Sequence, residues 1–325
     1  MPRVPHGVPG GVITGWGAAL PDRIVTNHEL EQTIDSNHEW IVERTGIRER
    51  RVGGTTAELS VASARQAIEM SGVDPADIDA LVLATTTPDR AVPATASTVQ
   101  ELLGLSCGAY DVNAACSGWV YGLITGHGLI ALGAQKVLVI GTDTLSRITD
   151  WTDRNTAILF ADGSGATLIE AVDGQGQLLA WDLDSDGSAE SALYAEHGGK
   201  LQMEGREVFR RAVRIMVDSA TKSMEHAGVT ADQIALVVPH QANIRIISAA
   251  CERLGVSMDR TAVVLDRTGN TSSASIPLAL ADAMDRGMAT TGDLVLFVGF
   301  GAGMSAASAI VRWGGTTPDA PGPGA

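Results

Sequence analysis

The chain is predicted to be an α/β protein of five layers, α/β/α/β/α, built from two halves that repeat one another. Three observations predict this. Helix-like and strand-like patterns alternate along most of the 325 residues. The segment Ile68-Glu69-Met70-Ser71-Gly72-Val73, followed by Ile78-Asp79-Ala80-Leu81-Val82, recurs at a constant offset of 156 residues. Its second copy is Met224-Glu225-His226-Ala227-Gly228-Val229, followed by Ile234-Ala235-Leu236-Val237-Val238. Finally, the stretches after Cys116 and Asn270 are small and apolar on every side, which a helix tolerates only when protein covers it all round. Both belong between two sheets, with the remaining helices outside.

Each copy of the repeat reads as an amphipathic helix, a glycine stop, a short loop and an apolar strand. Ala109 to Val112 is a short strand leading to Cys116, and Trp119 to Leu132 is the buried helix that follows. Lys136 to Gly141 matches Leu294 to Gly299, so each half carries a further strand. Cys116 and Asn270 fall at similar places, each opening a small-residue helix after a strand. The halves are expected to span 10–172 and 173–313, followed by a flexible Gly/Pro/Thr-rich tail at 314–325. The glycine clusters Gly163 to Gly165 and Gly299 to Gly303 lack the strand, GxGxxG and helix context of a dinucleotide site.

Composition narrows the function classes. A chain that is 45% hydrophobic with 37 glycines suits a compact α/β enzyme. Its net charge of −15 argues against nucleic acid, which needs Lys and Arg to neutralise phosphates, and against an anionic membrane surface. Cys107, Cys116 and Cys251 form no disulfide framework or metal-ligand spacing, which fits a reducing cytoplasm and no bound metal. No apolar run has the length of a membrane span, and Met1 to Gly11 has Pro and Gly where a signal peptide needs an apolar core. A cytoplasmic protein is expected.

The chemistry centres on Asn113-Ala114-Ala115-Cys116-Ser117-Gly118-Trp119. A lone cysteine is more often an inert core residue. This one opens a helix, where the macrodipole and free N–H groups favour thiolate, and its small neighbours leave room for substrate. Two further segments supply partners: Pro239-His240-Gln241-Ala242-Asn243, at the end of an apolar strand, and Gly269-Asn270-Thr271. Taken alone, His240 reads as a loop residue and Asn270 as a turn or cap. Placed at strand ends of two related halves, Cys116, His240 and Asn270 converge on the pseudo-twofold axis.

These residues resemble those of the β-ketoacyl-acyl-carrier-protein synthase III family, initiating condensing enzymes of fatty-acid synthesis within the thiolase-like superfamily. The resemblance runs from Gly15 to Trp313. It rests on Glu39-Trp40-Ile41-Val42, Arg44-Thr45-Gly46-Ile47-Arg48-Glu49-Arg50, Ala115-Cys116-Ser117-Gly118, Thr152-Asp153-Arg154 and Phe160-Ala161-Asp162-Gly163. It continues through Val238 to Asn243, Leu265 to Ser272 and Phe300-Gly301-Ala302-Gly303. Chain-elongating relatives use a second histidine where this chain has Asn270.

The resemblance implies a thiolase-like fold and a decarboxylating condensation of acyl-CoA with malonyl-acyl-carrier protein. Cys116 becomes acylated; backbone N–H groups of Cys116 and Ala302 form the oxyanion hole; His240 Nε2–H and the Asn270 amide hold the enolate. Phe300 stands beside the cysteine. Val92 replaces a bulkier residue of acetyl-preferring relatives and predicts a deeper acyl pocket. Trp40 and Arg154 sandwich the adenine of coenzyme A, and Ser36, Arg44, Gly205 and Asn243 line its channel. The acidic carrier protein is expected to dock on Arg245, Arg210, Arg211 and Arg214, the last three on a helix opening at Glu207. Glu252, next to Arg253, stands where the family often has Lys, which weakens or shifts that patch. No cofactor is expected. A homodimer is expected, from the resemblance and from an apolar run, Val137 to Ile140, that would extend a sheet across a twofold axis. The loop Thr87 to Val92 would then reach the neighbouring subunit's acyl pocket.

Other readings stand beside this one. A related acyltransferase or ketide synthase of secondary metabolism shares the fold and Cys116, and a non-catalytic paralogue shares the fold alone. Papain-like proteases have the same Cys–His–Asn order, but with the cysteine near the mature N-terminus and disulfides.

Overall fold

The computed structural model describes residues 7–314 of the chain; the expected tail lies outside them from residue 315 onward. One sheet contains β1 (Gly10–Ala19), β2 (Ala80–Ala84), β3 (Gly108–Val112), β4 (Lys136–Thr144) and β5 (Asp162–Val172), in the order β1-β5-β4-β2-β3. The other contains β6 (Leu178–Asp184), β7 (Ile234–Pro239), β8 (Leu294–Gly301) and β9 (Ser305–Arg312), in the order β7-β8-β9-β6. Their pairings correspond. β2 runs parallel to β4 as β7 does to β8, β4 antiparallel to β5 as β8 to β9, and β5 antiparallel to β1 as β9 to β6. Only β3 lacks a full counterpart: in the second sheet its place is held by a single parallel bridge from Val237 to Thr261.

The helices that position the site are α1 (His38–Thr45), α2 (Thr56–Ser71), α3 (Thr95–Leu103), α4 (Gly118–Ala131), α5 (Gly205–Ala227), α6 (Ile244–Leu254) and α7 (Ser275–Asp285). α2 and α3 cover the outer face of the first sheet and α5 that of the second, while α6 packs on α5 and shares a core with Val237, Leu296 and Val298. α4 and α7 touch strands of both sheets, which makes five layers. The lack of a polar face on α4 and α7 is thus explained: there is no solvent side to satisfy. The inter-sheet core joins Trp119 and Leu123 of α4 and Ile276 and Leu280 of α7 to Val139, Leu236 and Phe297. The Trp119 and Phe297 rings meet edge to face at 5.2 Å, an arrangement that adds about 1 kcal/mol to simple burial.

The repeat is visible in detail. α2 opens with a capping box between Thr55 and Glu58 and stops at Gly72. Gly72 and its counterpart Gly228, which ends α5, take φ of +70° and +66°, a backbone region that strains any residue with a Cβ.

One expectation is overturned. Val137 to Ile140 lies in β4, the central strand of its sheet, and cannot extend that sheet across a dimer axis. Central strands read as continuous apolar runs because both faces are covered. The open edges are β1 and β3, and β3 is the parallel one.

Candidate active site

Two turns open the inner helices. Residues 115–117 and 272–274 each form a single 3₁₀ turn, leading into α4 at Gly118 and α7 at Ser275, an offset of 157 residues. Each turn is set by an asparagine whose side-chain oxygen accepts from the backbone N–H two residues on: Asn113 from Ala115 at 3.2 Å, Asn270 from Ser272 at 3.0 Å. Each then forces a non-glycine residue into the left-handed region, Ala115 at φ +47° and Ser272 at +51°. The counterpart of Asn270 is therefore Asn113, and the counterpart of Cys116 is Ser273. The sequence reading paired Cys116 with Asn270 instead, a register error of three residues.

A cavity of about 530 Å³ brings the key residues together. Cys116, His240, Asn270 and Phe300, all buried, line its inner part, and exposed Arg44, Arg206 and Arg245 line its mouth. Gly301 is indispensable for space. A Cβ there would lie 2.5 Å from the Cys116 backbone nitrogen, so any side chain would close off that N–H. Gly301, not Ala302, lies on the cavity wall; Ala302 opens the adjoining turn.

The electrostatics correct one expectation. Burial pushes the Cys116 thiol up to about 12, and the buried Asp143 carboxylate adds to the effect. A bond from Ser272 and the local backbone act the other way and do not overcome it. Desolvation outweighs the hydrogen bonds that favour the charged form, and the resting group is a thiol rather than a thiolate. Burial also lowers His240 to about 3, so its ring is neutral throughout the physiological range. Its Nδ1 lies 2.6 Å from Ser275 Oγ, and its ring meets Phe300 edge to face at 5.3 Å.

Asp143, at the end of β4, ties the two halves together under the site. One oxygen accepts from the amides of Thr86 and Thr87 and the hydroxyls of Thr85, Thr86 and Thr87. The other accepts from the amide and hydroxyl of Ser273 at 3.0 and 2.7 Å. Nothing in the sequence distinguished this aspartate from a surface acid.

A description of 3-oxoacyl-[acyl-carrier-protein] synthase III fits residues 110–187, and one of that synthase's C-terminal part fits residues 224–313. The β-ketoacyl-[acyl-carrier-protein] synthase III of Sinorhizobium medicae is 47% identical over 93% of this chain and 99% of its own. The chain belongs to the 3-oxoacyl-[acyl-carrier-protein] synthase III family. It is a condensing enzyme of the acyltransferase type. The synthase III structure from Aquifex aeolicus superposes with a TM-score of 0.91, at 39% identity, covering 94% of this chain and all of that one. A priming β-ketosynthase from the R1128 polyketide pathway superposes at 0.89, with 36% identity and coverage of 96% and 98%.

The remaining positions singled out by the synthase III resemblance divide into two groups. Trp40, Arg44, Gly205, Asn243 and Arg245 lie on the cavity wall. Asn243 caps α6 through the Arg245 amide and donates its Nδ2 to the Arg44 carbonyl at 2.9 Å, joining the mouth across the two halves. Ser36 and Arg154 are not on the wall. Arg154 packs directly on the Trp40 ring, 4.7 Å from its centroid, and donates to the Asp35 carbonyl. That contact leaves no room for a base between the two, so the expected adenine slot is closed in this conformation. Val92 is 82% exposed and is not among the residues lining its own chain's cavity.

The docking arginines also divide. Arg210 is bound to Glu207, and Arg211 to Glu207 and Asp186, which cancels much of their charge. Arg214 is exposed but off the cavity wall. α5 opens at Gly205 rather than Glu207, which puts Arg206 on its first turn, at the mouth. Sequence reasoning missed Arg206 because the helix start was set two residues late. Among the described residues, Arg44, Arg206 and Arg245 form no ion pair.

Proposed function

We propose that this site condenses an acyl-coenzyme A starter with malonyl-acyl-carrier protein, giving CO₂ and 3-oxoacyl-carrier protein, the first condensation of fatty-acid synthesis. One observation carries the reading: Cys116, His240 and Asn270 meet at the inner end of a single cavity whose mouth carries three arginines with no ion-pair partner among the described residues.

Cys116 sulfur attacks the acyl-CoA carbonyl. The S–CoA bond breaks, and the thiol proton leaves with coenzyme A, so acylation is proton-neutral. The Cys116 amide, kept open by Gly301, receives the developing oxyanion, and the Ala302 amide, in the turn directly after the wall residue Gly301, is the second donor in this reading. Malonyl-carrier protein then loses CO₂, and the released electron pair forms an enolate held by the His240 Nε2–H and the Asn270 amide. Asn270 Oδ1 is already occupied by the Ser272 amide, so its NH₂ is the end left to donate. The enolate carbon attacks the acyl-cysteine carbonyl, and Cys116 leaves and takes a proton from solvent. A thiol pushed up to about 12 favours that uptake. A neutral histidine suits a donor whose task begins only in the transition state. These steps need no metal or redox group.

Arg44, Arg206 and Arg245 suit both the phosphates of coenzyme A and an acidic carrier protein, with Arg245 continuing as the principal docking contact. A homodimer would form at the open β3 edge. The amides of Thr95 and Ala96 bind Asp111 of β3, which holds the loop carrying exposed Val92 beside that edge. Val92 then shapes the acyl pocket of the second copy.

The test is mass spectrometry of carrier-protein products, using malonyl-carrier protein and acyl-CoAs of increasing length. 3-Oxoacyl-carrier protein whose chain matches the supplied starter supports the proposal; no condensation with any starter refutes it. Likeness to the R1128 priming ketosynthase favours a second reading, the priming of polyketide synthesis. In that case, turnover is expected only with a carrier protein of a secondary pathway.

A further inference from the structure

We propose that Ser275 is a positioning residue that fixes the tautomer of His240, its hydroxyl donating to Nδ1 so that the ring proton sits on Nε2, toward the cavity. The inference rests on the functional reading above for what the Nε2 proton does, and on geometry alone for where that proton is.

Ser275 is the first residue of α7, buried at 1% exposure, with its Oγ 2.6 Å from His240 Nδ1. The same oxygen accepts the Gln241 amide at 3.3 Å. Among the described residues no other acceptor for the hydroxyl proton lies within hydrogen-bond reach, so it goes to Nδ1. A neutral imidazole carries one proton, and with Nδ1 accepting, that proton is on Nε2. The reverse arrangement would give Oγ two donors and leave its own proton buried and unpaired, which costs free energy.

The frame around this contact is rigid. Gln241 Nε2 donates to the carbonyls of Pro239 and Ala262, and its Oε1 accepts the Val264 amide at 2.9 Å. The His240 amide donates to the Val298 carbonyl at 2.8 Å. Strand end, glutamine and helix start are thereby locked, and Ser275 is the element that decides the proton's place. As a serine in a run of small residues it carried no signal in the sequence.

The test combines a spectrum with a kinetic split. In ¹⁵N spectra of the wild-type enzyme at pH 7, the His240 ring is expected to show protonated Nε2 and acceptor Nδ1, unchanged between pH 8 and 5. Ser275→Ala is expected to mix the tautomers and slow decarboxylation of malonyl-carrier protein about tenfold, the loss of one hydrogen bond. Acylation of Cys116 should be unaffected. Ser275→Thr, which keeps the hydroxyl, should restore both tautomer and rate. A wild-type spectrum with Nδ1 protonated overturns the proposal, even if Ser275→Ala fails to fold. So does a folded Ser275→Ala enzyme that decarboxylates at the wild-type rate. Wild-type enzyme that fails to condense at all would defeat the functional reading instead, while the spectrum still reports the tautomer.

Discussion

The two inner-helix turns share a backbone and differ in chemistry. Both have an asparagine that accepts its own turn's N–H, a left-handed residue and a 3₁₀ turn before the helix. In the first, the middle position is Cys116, on the cavity wall. In the second it is Ser273, whose hydroxyl is spent on the Ala84 carbonyl and Asp143. The asparagines exchange roles in turn: Asn270 reaches the cavity and Asn113 does not line it. At the 156-residue offset His240 corresponds to Ala84, a side chain without chemistry. Duplication therefore supplied two copies of a scaffold and one active site. Each half keeps a different part of the chemistry, and the silent copy is used to hold the halves together.

This division predicts separable effects. The largest is on the second half: His240→Ala or Asn270→Ala should slow decarboxylation by roughly 10²–10³, the cost of one oxyanion-type donor. Cys116 acylation, followed as the mass shift of the intact protein, should persist. Loss of acylation with decarboxylation spared would reverse the assignment. Smaller is the effect of Ser273→Ala, which strips a buried bond from Asp143 and from the Ala84 carbonyl. It should cost about 1–3 kcal/mol of stability in denaturant melts while leaving acylation within a few-fold. A stable Ser273→Ala enzyme that no longer acylates would show that the twin is not silent.

A third test addresses the thiol. With Cys116 raised to about 12, the thiolate fraction and the alkylation rate by iodoacetamide should keep rising to the alkaline limit of stability. A plateau near pH 8 would mean that the helix terminus wins after all. Smallest is Arg245→Glu, which should raise KM for malonyl-carrier protein at low salt, with the difference shrinking at high salt and acyl-CoA acylation largely retained. An unchanged KM at low salt would move the docking surface elsewhere.

The architecture was legible in the sequence because helix stops such as Gly72 and Gly228 and the all-apolar helices after Cys116 and Asn270 are local signals. What was not legible depends on what surrounds a residue. Val137 to Ile140 reads the same at a sheet edge or centre, and only pairing decides. The helix terminus at Cys116 is visible in sequence, whereas the burial that raises its thiol is not. The register of the two turns was missed because the small residues around Cys116 and Asn270 hid the Asn113 match. Ser275 and Asp143 act through contacts with residues far off in the chain, 35 positions away for the first.

The division of labour between the halves is tested most directly in one variant. Cys116→Ala should form no acyl-enzyme with any acyl-CoA and no 3-oxoacyl product, yet still release CO₂ from malonyl-carrier protein, because His240 and Asn270 remain in place. If CO₂ release vanishes together with acylation in a folded Cys116→Ala protein, the two halves do not carry separate steps and the account is wrong.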